Sequence, residues 1–141
     1  MGAYINTDLG AKSGLADNYP IYARFKVLAV RDGNIAYTGD MYGGGIATLG
    51  PSCLLGIDNG EVDIRIVVSS MRIQCLDRAL FTHFGIELAD TKIIVVKSTV
   101  HHRAEFEPIA SEVLNVAAPG AFACELKLGQ YSNLRPGVEC L

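Results

Sequence analysis

The sequence predicts an α+β domain, with a largely antiparallel or mixed β-sheet built from hairpins and one or two short helices covering a face. Three observations carry this. Segments of period-two hydrophobicity outnumber helical ones, the first four come in pairs around Asp-Gly or Asp-Asn-Gly turns, and the helical patterns are only a few turns long. At 141 residues, half of them hydrophobic (50%) and 19% charged, the chain suits one domain with a substantial core rather than a disordered segment.

Residues 1–20 are polar and glycine-containing, with one apolar patch at Tyr4 and Ile5. They read as a connector entering a domain, leaving 21–141 as the folded unit. Residues 21–30 then alternate, with Ile21, Ala23, Phe25, Val27 and Ala29 on one face and Tyr22, Arg24 and Lys26 on the other. Asp32-Gly33 tolerates the positive φ of a tight turn, and Ile35 and Tyr37 resume the alternation, which predicts a first hairpin. A second runs from residues 53–57 through Asp58-Asn59-Gly60 to Val62, Ile64, Ile66 and Val68 on one face.

Between the hairpins, Gly43-Gly44-Gly45 suits neither helix nor strand, so residues 39–45 form a loop. It is either a flexible turn or a place where backbone closely approaches another surface. Asp77 is placed to cap a short helix with Leu80, Phe81 and Phe84 as its stripe and Gly85 as its stop. Ile93-Ile94-Val95-Val96 is a continuous β-branched run, which predicts a strand buried on both faces. A second helix is expected over 103–110, with Phe106, Ile109 and Ala110 inward and Pro108 bending it or lying in its first turn. Residues 111–116 read as a further strand; the tail beyond Pro119 is weakly patterned.

With 12 Lys+Arg against 15 Asp+Glu, the net charge of -3 offers no basic footprint, so nucleic acid is not expected as a partner. No apolar run spans a membrane and no signal pattern opens the chain. Cys53, Cys75, Cys124 and Cys140 contain no C-x-x-C pair, so reduced thiols in a cytoplasmic protein are expected.

For chemistry, the most informative stretch is Lys97-Ser98-Thr99-Val100-His101-His102-Arg103. It leaves an expected buried strand and enters a helix, where backbone N–H groups and cationic side chains favour an anion. A solvated turn is the competing account. Adjacent histidines sit about 100° apart on a helix and cannot easily chelate one ion together. There is no H-x-x-x-H, no nucleophile elbow and no nucleotide-binding glycine pattern, so neither a catalytic residue nor a metal ligand is assigned within this chain alone. Arg72, Gln74 and Asp77 form a polar cluster, read as structural, with Asp77 capping and Arg72 pairing.

Several segments together resemble one family. Gly39-Asp40-Met41-Tyr42-Gly43-Gly44-Gly45 with Leu49-Gly50-Pro51, then Ser70-Met71-Arg72-Ile73-Gln74-Cys75-Leu76-Asp77, then Val95-Val96-Lys97-Ser98-Thr99-Val100-His101-His102-Arg103-Ala104-Glu105-Phe106-Glu107-Pro108-Ile109-Ala110 follow in order and at sensible spacing. They are similar to the motifs of the C-terminal domain of the microcystinase C (MlrC) family, and Gly10-Ala11-Lys12 resembles the opening of that region. His102 departs from the aromatic the family carries there, and residues 134–141 keep only a trace of its ending.

The resemblance implies part of a zinc-dependent, metallopeptidase-like hydrolase. The zinc and its ligands would belong to a larger N-terminal domain, and this chain alone would be inactive. Expected partners are that metal-bearing domain, a peptide-like substrate and a second copy in a homo-oligomer. Lys97, Ser98, His101, Arg103, Arg72, Gln74, Asp77, Gly43, Gly44 and Gly45 are the candidate substrate or interdomain contacts. The alternative is a binding or oligomerisation module that never meets substrate.

Overall fold

A computed structural model describes residues 2–12, 14, 18–58, 60, 63–98, 100–118 and 133–137. Its elements are β1 (Tyr4–Leu9), β2 (Ile21–Arg31), β3 (Asn34–Ala36), β4 (Ile46–Thr48), β5 (Ser52–Ile57), β6 (Arg65–Ser69), α1 (Ala79–Thr82) and α2 (His102–Phe106), with short 3-10 turns at Leu88–Asp90 and Glu107–Ile109. This is the expected α+β class. Two compact units are resolved, Met1–Asp8 with Tyr22–Val113 and Leu9–Ile21 with Leu114–Leu141. But for the end residues Leu9 and Ile21, every element lies in the first. In the second, Leu114 and Val116 are exposed and residues 114–118 form no strand.

The main sheet has the order β1-β2-β5-β6, and a two-stranded ribbon pairs β3 with β4. The second hairpin is as expected, with β5 and β6 antiparallel and Leu54 opposite Val67; its turn residue Asn59, and Val62, lie outside the described residues. The first hairpin is not formed. The chain does turn at Asp32-Gly33, where Gly33 takes a φ of 80°. It then leaves the sheet: β3 pairs with β4, Leu49 donates to the Gly33 carbonyl at 2.6 Å, and β2 pairs instead with β5. A two-residue turn fixes a reversal, but the partner is chosen by the apolar surface each strand buries. Part of the stretch read as a connector is also strand: β1 lies at the sheet edge, continued by Val27 donating to the Ala3 carbonyl at 2.8 Å.

Strict alternation would put Phe25, Val27 and Ala29 on one face, but the register slips between Val27 and Ala29. Val27 faces Leu55 and Ala29 faces Leu54, so this bulge moves Ala29 to the other face. The sheet is apolar on both sides in consequence. Ala29 and Leu54 join Ile35, Ala47, Leu49, Ala79, Leu80, Phe84 and Ile86 in one core, which packs the ribbon and α1 onto the sheet.

Helix α1 follows its pattern. Leu80 and Phe84 are buried, and Gly85 (φ 76°) ends the turn by donating to the Thr82 carbonyl. The expectations for the second half fare differently. Residues 93–96 form no strand, with Ile93 79% and Val95 84% exposed. A β-branched run has strand propensity, but no neighbour among the described residues supplies its ladder. Residues 111–113 are likewise irregular. The second helix stops at Phe106, where Pro108 turns it into a 3-10 segment, and Ile109 and Ala110 are exposed rather than inward. No helix among the described residues is long and apolar enough to cross a membrane.

Candidate functional site

The glycine loop closes the β3–β4 ribbon. Tyr37 donates to the Gly45 carbonyl at 2.9 Å, and Gly44 takes a φ of 83° that a side chain would disfavour. Gly43, Gly44 and Gly45 are exposed. The close approach lies just before them, at Gly39, where a Cβ would land on the Glu105 carboxylate. The reading of a close backbone approach therefore applies at Gly39.

Two carboxylates grip the loop's first turn. Asp77, 2% exposed, accepts from the backbone N–H of Thr38 at 2.9 Å and of Gly39 at 2.8 Å, from the Thr38 hydroxyl at 3.3 Å, and from the Ala79 N–H at 2.7 Å. The last bond is the expected cap; the others tie the helix start to the loop. Burial alone would raise the Asp77 pKa, but the N–H groups of Ala79, Gly39 and Thr38 and the Thr38 hydroxyl outweigh it and hold the carboxyl below its ordinary range. Glu105, 5% exposed, accepts from the Asp40 N–H at 3.2 Å and from Arg78 Nε at 3.0 Å. Arg78, rather than Arg72, is the arginine that pairs; Arg72 is exposed and has no partner among the described residues.

Beside this clamp lies a polar relay. Gln74 Nε2 donates to Ser98 Oγ at 2.8 Å, and Gln74 Oε1 faces His101 Nδ1 at 3.3 Å. Segments 74–81 and 98–106 are thus joined at three levels, by Gln74 on Ser98 and His101, by Arg78 on Glu105, and by Phe81 on Phe106 edge to face at 5.9 Å. His101 is exposed and His102 is buried, its Nδ1 without a partner among the described residues, so the pair points in different directions. His102 occupies a packing position. Arg103 pairs with Glu107 one turn on. Lys97 is exposed and has no partner among the described residues; Thr99 lies outside them.

The structure therefore brings together Asp77 with the loop, and Gln74 with Ser98 and His101. It leaves Lys97 and Arg72 facing solvent. Glu105 was not singled out by the sequence reading, although His102, Glu105 and Phe106 share one helix face. A carboxylate on that face is the signal of a buried partner. Among the described residues no group of three or more His, Cys, Asp or Glu is placed to hold a metal ion. Cys53 and Cys75 are free thiols, and Cys124 and Cys140 lie outside the described residues.

A family model described as MlrC C-terminus matches residues 1–133. No curated protein and no solved structure matches the chain.

Proposed function

From its membership of the MlrC C-terminus family, to which the chain belongs, we propose that it is the C-terminal domain of a zinc-dependent hydrolase of peptide or amide bonds. It would complete the active-site cleft, or the assembly, of a metal-bearing N-terminal domain. The observation that carries this is the division of labour within the motifs. Asp77, Arg78, Gln74 and Glu105 are used up in holding the loop and the 98–106 segment, whereas Lys97 and His101 remain exposed on that frame. An exposed lysine on a held segment suits a substrate carboxylate or a developing oxyanion, and the exposed imidazole on the same segment suits a polar group of that substrate. Among the described residues no group of His, Cys, Asp or Glu is placed to hold a metal ion, and in this reading the zinc is held by the metal-bearing domain. A cytoplasmic setting accords with the free thiols Cys53 and Cys75.

The test joins this chain to the metal-bearing domain and measures turnover of a peptide substrate beside thermal melting. Lys97→Ala and His101→Ala should each lower turnover by on the order of a hundredfold with little change in melting temperature. A lower melting temperature with unchanged turnover per folded molecule would make these residues structural. A second reading, a binding or oligomerisation module, is favoured by one observation, the exposure of Ile93 (79%) and Val95 (84%).

A further inference from the structure

We propose that Gln74 is a positioning residue that fixes the tautomer of His101, and that His101 thereby presents Nε2 as a hydrogen-bond acceptor to an amide N–H of a peptide-like ligand. The ligand class rests on the hydrolase reading above; the tautomer does not. In the structure Gln74 Nε2 donates to Ser98 Oγ at 2.8 Å, and its Oε1 lies toward His101 Nδ1 at 3.3 Å. A carbonyl oxygen only accepts, so the neutral imidazole carries its proton on Nδ1. Free histidine in water favours the other tautomer, so the relay reverses the ordinary preference. Nε2 then has no partner among the described residues, and on this exposed side chain its lone pair is available.

This separates the roles within the 97–103 segment. A neutral imidazole with an open Nε2 cannot donate to a carboxylate; it takes an N–H. Arg103 is engaged with Glu107, so the unpartnered cation beside His101 in sequence is Lys97. Lys97 suits the carboxylate of a ligand and His101 its amide N–H, and a short peptide carries both groups. His102 cannot substitute, because it is buried.

The experiment uses the chain labelled with 15N-histidine at pH about 8, where an ordinary imidazole is neutral. Long-range proton–nitrogen correlation shows which ring nitrogen bears the proton, and His101→Gln identifies the signals. Nδ1–H should predominate in the unsubstituted chain. Gln74→Met should restore Nε2–H, and Gln74→Glu, which keeps an acceptor in place, should retain Nδ1–H; circular dichroism checks that each variant is folded. Should the Gln74 amide sit the other way round, with its NH2 on His101, the unsubstituted chain will show Nε2–H and the proposal fails. It fails equally if Gln74→Met leaves the tautomer unchanged. Acetyl-glycyl-glycine is then titrated up to its solubility. A shift at His101 Nε2, weakened by Lys97→Met, supports the ligand class, and no shift overturns it. A fixed tautomer with turnover insensitive to His101→Ala would count against the hydrolase reading alone.

Discussion

Asp77 holds three backbone N–H groups and a hydroxyl from inside the protein. Its removal leaves donors with poor access to water, each costing about 1–3 kcal/mol when unpaired. Asp77→Ala should therefore destabilise the chain by about 3 kcal/mol in urea unfolding, and a loss below about 1 kcal/mol would show that water replaces the carboxylate. Gly39 and Glu105 form a second, coupled pair. Gly39→Ala drives a methyl group into a carboxylate already held by Arg78 and the Asp40 N–H, and should cost about 2 kcal/mol. Glu105→Ala gives up those bonds but makes room. The double variant should be less damaging than the sum of the singles by about 1 kcal/mol; strict additivity would mean that the loop moves away instead.

Helix α1 and the β5–β6 hairpin were legible because their signals are local, the Asp77 bond to the Ala79 N–H with an apolar stripe in one case and a turn between alternating runs in the other. The β2–β3 hairpin does not form because Asp32-Gly33 fixes only the reversal, while β2 takes its partner from residues 52–57 and β3 from residues 46–48. The same limit explains residues 93–96, whose composition states a preference for strand but not whether a neighbour exists. In the candidate site, the cap at Asp77 was visible and the loop contact was not, since Thr38 and Gly39 lie 39 and 38 residues away. The exposed run gives a direct prediction. Ile93→Lys with Val95→Lys should change the stability of this chain by no more than about 0.5 kcal/mol, because both side chains already face solvent. A cooperative loss of 2 kcal/mol or so would show that the segment is covered.

For the molecule as a whole, these groups bound the pH range of stability. The Asp77 carboxyl is held below its ordinary value of 3.8, so its contribution is present above about pH 4 and is lost as pH falls through the folded value. Cys75 acts at the other end. Burial first, and the Asp77 charge second, push its thiol from 9.0 up to about 11. The unfolded chain therefore ionises before the folded one, and stability falls as pH rises from about 9 to about 11, by on the order of 2 kcal/mol. Tyr37, raised chiefly by burial, adds in the same direction above its ordinary value of 10.0. Urea midpoints across the pH range should form a plateau with both limbs, and Cys75→Ala should flatten the alkaline one. In the native chain at pH 8, Cys75 should react with iodoacetamide far more slowly than after denaturation.

The two-carboxylate grip also has a consequence for how the loop breathes. The amide protons of Thr38 and Gly39 sit in an irregular segment, yet their acceptor is an ionised side chain rather than a peptide carbonyl. Deuterium uptake there should be slow near neutrality, to a degree ordinarily met inside sheets. Acidification should release these two amides together as Asp77 takes up its proton, while the ladder between β5 and β6, which contains no titrating acceptor, keeps its protection until global unfolding.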